Sequence, residues 1–150
     1  MGLDMYLTKQ IYVGAHYEHR AVTGSIDITI GNDKLPIDFN KVSYVTEQVG
    51  YWRKANAIHS WFVKNVQDGV DNCARYYVDH IHLETLLRLV NLVLEDNSRA
   101  EELLPSVSGF FFGSTQYDGD YFDDLKITKE IVEEALPESE DASFYYQASW

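Results

Sequence analysis

The first residues alternate: Leu3, Met5 and Leu7 are apolar, while Asp4, Tyr6 and Thr8 are not. A period of two sends one set to each face of a strand, so the chain opens on a half-buried strand that residues 10–13 extend or pair with. Residues 14–24 carry His16, His19, Arg20 and Thr23 without any period and read as an exposed loop. Alternation returns in residues 25–30, where Ile26, Ile28 and Ile30 face away from Asp27 and Thr29. The turn cluster Gly31-Asn32-Asp33 and residues 35–39 complete a predicted hairpin, and Pro36, which cannot donate to a ladder, confines its return strand to an edge. Residues 42–49, with Val42, Val45 and Val49, predict a further strand that ends at Gly50.

The spacing then changes to threes and fours. In residues 51–66, Ala55, Ile58, Phe62 and Val66 fall on one face of a predicted helix, and Trp52, Asn56, His59 and Val63 form the adjoining stripe. Gly69 stands where a left-handed cap would stop it. Residues 73–78 predict a short strand, and Asp79 an N-cap for a helix over 81–94. Leu83, Leu86, Leu87, Val90, Val93 and Leu94 give that helix a strong apolar period, with Leu89 and Leu92 on the flank, so it is expected to be the most deeply buried. One or two turns are expected over 98–104, before Pro105. Asp120 is read as the cap of a last helix over 121–136, with Tyr121, Leu125, Thr128, Val132 and Ala135 inward and Glu130, Glu133 and Glu134 outward. Residues 144–148 are uncharged and aromatic and predict a terminal strand within the sheet. There is no repeat and no linker. The predicted fold is a single α+β domain, a mainly antiparallel sheet packed with about three α-helices.

Charge changes this picture. The 150 residues carry a net −12, and it is uneven: ten acids and nine bases in residues 1–94, against fourteen acids and three bases in 95–141. Such a block repels nucleic acid and attracts a basic partner, or serves only as a solvated surface. Mimicry of DNA charge requires acids at phosphate-like spacing. Aromatic residues make up 14% of the chain, enough for a well-filled core and a ring-rich contact surface. The lone cysteine, Cys73, excludes an internal disulfide and fits a reducing compartment. The N-terminus lacks the basic start and apolar run of a signal peptide, and no stretch has the length of a membrane span, so a cytoplasmic location without a membrane partner is expected.

Candidate chemistry concentrates near the centre. Arg53 and Lys54 beside Asn56, His59 and Trp52 suit a small anionic or nucleotide-like ligand, with His59 available for proton transfer. The alternative is a stripe packed on the sheet, with His59 satisfied internally. Cys73, Asp79, His80 and His82 lack the tight ligand pairs of a zinc site. Residues 118–124 are acidic but miss the calcium-loop register, with Lys129 where the twelfth-position glutamate belongs. No metal or cofactor is expected. The run Gly109-Phe110-Phe111-Phe112-Gly113 is either a buried strand or a loop offering rings, Phe111 among them, to a partner; Tyr117 follows closely.

Four segments, MGLDMYL at the start, 51–62, GFFFGSTQYD over 109–118 and FYYQASW over 144–150, resemble an uncharacterised family of small phage- and prophage-encoded proteins. The resemblance implies a viral accessory protein in a bacterial cytoplasm, one that binds a host factor or modulates host defence. It supplies no active-site or binding residues. The favoured expectation is a non-enzymatic binder of a bacterial or phage protein with a basic surface, with self-association left open. The alternative is an enzyme or small-ligand binder built on Arg53, Asn56 and His59.

Overall fold

The structure, a computed structural model, describes residues 2–14, 19 and 24–150. A four-stranded antiparallel sheet, in the order 44–53, 4–12, 143–149, 76–78, organises the chain. Strand β1 (Asp4–Tyr12) lies between β4 (Tyr44–Arg53) and β6 (Ser143–Ser149), so the first and last strands of the chain pair at the centre. β5 (Tyr76–Val78) pairs with β6 at the far edge. The opening alternation is kept: Leu3, Met5 and Leu7 are fully buried. Phe144, Tyr146 and Ala148 supply the same face from β6, and Trp52 from β4.

Helices α1 (Asn56–Asn65), α2 (His80–Glu95) and α4 (Gly119–Ala135) cover that face, with the single turn α3 (Ala100–Leu103) between the last two. The inward row of α4 is the one that its spacing predicts: Tyr121, Leu125, Thr128, Val132 and Ala135 are its buried residues. Its cap is Asp118 and not Asp120, because the Asp118 carboxylate accepts the Tyr121 N–H at 3.3 Å. Asp79 caps α2 as predicted, and the His82 Nδ1 completes the box by accepting the Asp79 N–H at 3.2 Å.

Four further expectations are corrected. The predicted 51–66 helix starts five residues late. Tyr51, Trp52 and Arg53 belong to β4, where pairing with Tyr6, Met5 and Asp4 of β1 outweighs helical spacing. The chain turns the corner at Lys54 (φ 60°) and through an inverse γ-turn at Ala55 (φ −74°, ψ 69°), in which the Asn56 N–H reaches the Lys54 carbonyl at 2.8 Å. The helix does end as expected, with Gly69 at φ 79°.

The most deeply buried helix is α1, in which every residue from Asn56 to Phe62 is buried, whereas α2 buries only Leu83, Leu86, Val90 and Val93. The predicted hairpin shrinks to β2 (Thr29–Ile30) and β3 (Asp33–Lys34), apart from the main sheet, and residues 35–39 form no strand. Residues 106–114 are a loop and not a buried strand. The predicted 14–24 loop lies mostly outside the described residues.

Candidate functional site

His59 is locked into the core. It is 1% exposed and hydrogen-bonded at both ring nitrogens, Nδ1 to the Tyr146 hydroxyl at 2.8 Å and Nε2 to Asp71 Oδ2 at 3.0 Å. Burial, then the Asp71 charge, hold the Tyr146 phenol well above its ordinary pKa, and because the Asp71 carboxylate can only accept, Nε2–H donates to it. The second Asp71 oxygen accepts the Trp150 indole N–H at 3.1 Å, which ties the C-terminal residue to the same chain. Tyr146 stacks on Phe62 with ring centroids 3.9 Å apart. The imidazole thus joins three parts of the fold and lines no cleft with Arg53.

Asn56 is committed in the same way. Its amide donates to the carbonyls of Phe112 (3.0 Å) and Ser114 (2.8 Å), and its oxygen accepts the Val107 N–H (3.0 Å). It is a clamp for the 106–114 loop. That loop is also tied to β1, through the Leu3 N–H and the Phe111 carbonyl at 3.2 Å, and it lifts Phe110 to 94% exposure. Tyr117 accepts the Ser106 N–H at 3.2 Å and sits edge-on to Tyr121. Trp52 is buried and donates to Thr128 Oγ1 at 2.8 Å, which fastens β4 to α4.

Of the predicted site residues, Arg53, Lys54 and Asn56 do line a common cleft of about 290 Å³ at the N-terminus of α1. Its other wall is Asp118, Asp120, Asp123 and Asp124. Four carboxylates against two cations make this an unfavourable place for an anion. Burial, and then the charges of Asp120, Asp123 and Asp118, push the Asp124 carboxyl up to about 6. No group of three or more His, Cys, Asp or Glu suited to a metal ion occurs among the described residues. Glu130, Glu133 and Glu134 lie exposed on the outer side of α4, Glu133 within 3.6 Å of Lys129.

The larger surface was not among the predicted sites. Because strand side chains alternate, the face of the sheet opposite the helices carries Tyr6, Tyr12, Tyr44, Tyr51, Tyr77 and Tyr145, six of the eleven tyrosines. The register sets them in cross-strand pairs: Tyr6 with Tyr51, Tyr12 with Tyr44 and Tyr77 with Tyr145, at 5.5, 5.2 and 5.8 Å between ring centroids. The Arg75 guanidinium lies 3.9 Å over the Tyr145 ring. Thr8, Gln10, Thr46, Gln48 and Gln147 fill the spaces between the rings. Charge is sparse, Asp4 being satisfied locally by the Tyr51 hydroxyl (2.5 Å) and Arg53 (4.0 Å). All these side chains are exposed or half-buried. Tyrosines alternating with core residues were a readable signal, but the pairing that gathers them is tertiary.

No protein family, curated protein or solved structure matches the chain. No helix among the described residues is long and apolar enough to cross a membrane.

Proposed function

We propose that this chain is a small acidic accessory protein of the phage type that acts by binding another protein, a bacterial or phage protein with a basic surface, and performs no chemistry of its own. One observation carries the reading: the open sheet face built from six tyrosines, with threonine and glutamine between them. Tyrosine supplies large contact area at low conformational cost and a hydroxyl for hydrogen bonding, and it is enriched at protein interfaces while most charged residues are depleted. The rings are already held in pairs, so little ordering remains for a partner to impose.

The test is site-specific photo-crosslinking in bacterial cells, with a benzophenone amino acid at Tyr44, Tyr51 or Tyr77 and, as control, at Lys126 on the outer side of α4. The expected result is one protein adduct shared by the three face positions and absent from the control. An equal spread of adducts over all four positions, or none at the face, refutes the reading. The small-ligand alternative finds less support, since His59 and Asn56 spend their polar atoms inside the fold.

A further inference from the structure

We infer that the free edge of β4 docks an extended segment of the partner, of pattern basic-x-apolar-x-basic, which joins the sheet as a fifth strand. The inference rests on the protein-binding reading above and names the chemistry of what is bound.

β4 is ten residues long and stands at the end of the sheet order. In an antiparallel pair, residues alternate between those that exchange hydrogen bonds with the neighbour and those whose N–H and C=O turn away. The phase is set at both ends of β4. The Lys54 N–H donates to the Leu3 carbonyl at 2.7 Å, and the Val13 N–H to the Ser43 carbonyl at 2.9 Å. The register breaks between Leu7/Gly50 and Thr8/Gln48, which leaves Val49 as an extra residue and reconciles the two phases. The outward residues are therefore Tyr44, Thr46 and Gln48 and, past the bulge, Tyr51 and Arg53. All five are exposed. Among the described residues nothing pairs with this side of β4. An open edge of this length is a template for another strand.

Helix α4 decides which strand. It crosses above β4 in the opposite direction, with Thr128 at Trp52 and Ile131 at Gly50. A strand added to the edge lies beneath the outer flank of α4. Helical spacing, counted from its buried row, puts Asp120 and Asp124 at one end of that flank, Ile127 and Ile131 in the middle and Glu134 at the other end. Ile127 is 43% exposed. Asp124 and Glu134 stand ten residues apart, about 15 Å along a helix, which about four or five strand residues span. Cations at positions i and i+4 with an apolar residue at i+2 match this flank. The intervening side chains meet the tyrosine face, which accepts many residue types. The backbone ladder supplies affinity and the acid–isoleucine–acid flank supplies selectivity.

The experiment titrates two seven-residue peptides into ¹⁵N-labelled protein and follows amide shifts. One has lysine, valine and lysine at its second, fourth and sixth positions and threonine elsewhere; the other has glutamates for the lysines. The lysine peptide is expected to shift the amides of Gln48, Tyr51 and Arg53, and to bind at least tenfold tighter than the glutamate peptide. Gln48→Pro, which removes an outward donor and no ladder bond to β1, is expected to weaken binding at least tenfold. If that variant unfolds, the pair Asp124→Lys and Glu134→Lys is expected to reverse the preference between the peptides. Equal affinity for both peptides, or shifts confined to other surfaces, overturns edge docking. Crosslinked adducts at Tyr44 and Tyr77 together with a failed titration sink the edge proposal alone; absence of those adducts sinks the face as well.

Discussion

His59 and Asp124 show how neighbours assign a residue its work. Each His59 nitrogen has a protein partner, so a residue type associated with proton transfer is here a structural joint between α1, β6 and the Asp71 segment. Asp124 is the opposite case, a carboxyl with burial and three like charges acting on it. Its folded pKa, about 6, stands above the ordinary aspartate value, so the folded protein holds this proton more tightly than the unfolded chain does. The stabilisation is complete below the unfolded pKa, near 4, and is lost as pH rises through 6. Asp124→Asn is therefore expected to be more stable than wild type by about 1–2 kcal/mol at pH 7.5, with the difference vanishing below about pH 4. Urea denaturation at the two pH values measures it, and an equal gain at both would show that the asparagine acts through packing instead.

At the scale of elements, the contact between α4 and β4 depends on a missing side chain. A Cβ on Gly50 would lie 2.7 Å from Ile131 Cγ2 and 3.2 Å from both Leu7 Cβ and Trp52 Cη2. Gly50→Ala is expected to cost about 1–3 kcal/mol by forcing the helix away from the strand. The same substitution in an Ile131→Ala background should cost less than half as much, a coupling that a double-mutant cycle reads directly. The sequence marked Gly50 as a junction between strand and helix, but the strand runs on for three residues. Helical spacing at Trp52 and strand alternation at Tyr51 and Trp52 are both present locally. Pairing with β1 decides between them, and β1 is more than forty residues away. The inward row of α4 needed no such arbitration, since five residues at one spacing agree and no competing pattern overlaps them.

For the whole molecule, the main division is between a compact sheet-and-helix body and an excursion from it. The strands meet again at Val13 and Ser43, whose ladder bond is 2.9 Å, and no described residue from 24 to 43 is buried. Replacing residues 14–42 by an Asn-Gly turn is expected to preserve cooperative unfolding and to change stability by no more than about 1 kcal/mol, because a two-residue turn suits this register and shorter loops cost less to close. Loss of the unfolding transition would place essential packing within the excursion. Charge is divided too. Seven of the fourteen acids of 95–141 lie on α4 or at its cap, while the tyrosine face is nearly free of charge. The body thus offers one surface suited to rings and hydrogen bonds and, beside it, a flank suited to cations.

The sequence by itself determined the class of fold, the opening and closing strands, the cap at Asp79, the left-handed turn at Gly69, the inner row of α4 and the acidic stretch 95–141. Each follows from the period or composition of a few neighbouring residues, which no distant contact reverses. Only the tertiary structure decided where β4 stops and α1 starts, that Asn56 and His59 turn inward, and that tyrosines from four strands share one face beside an open edge. Those outcomes depend on register between segments far apart in the chain. A shift of one residue in the register of any one strand would carry that strand's tyrosines to the other side of the sheet.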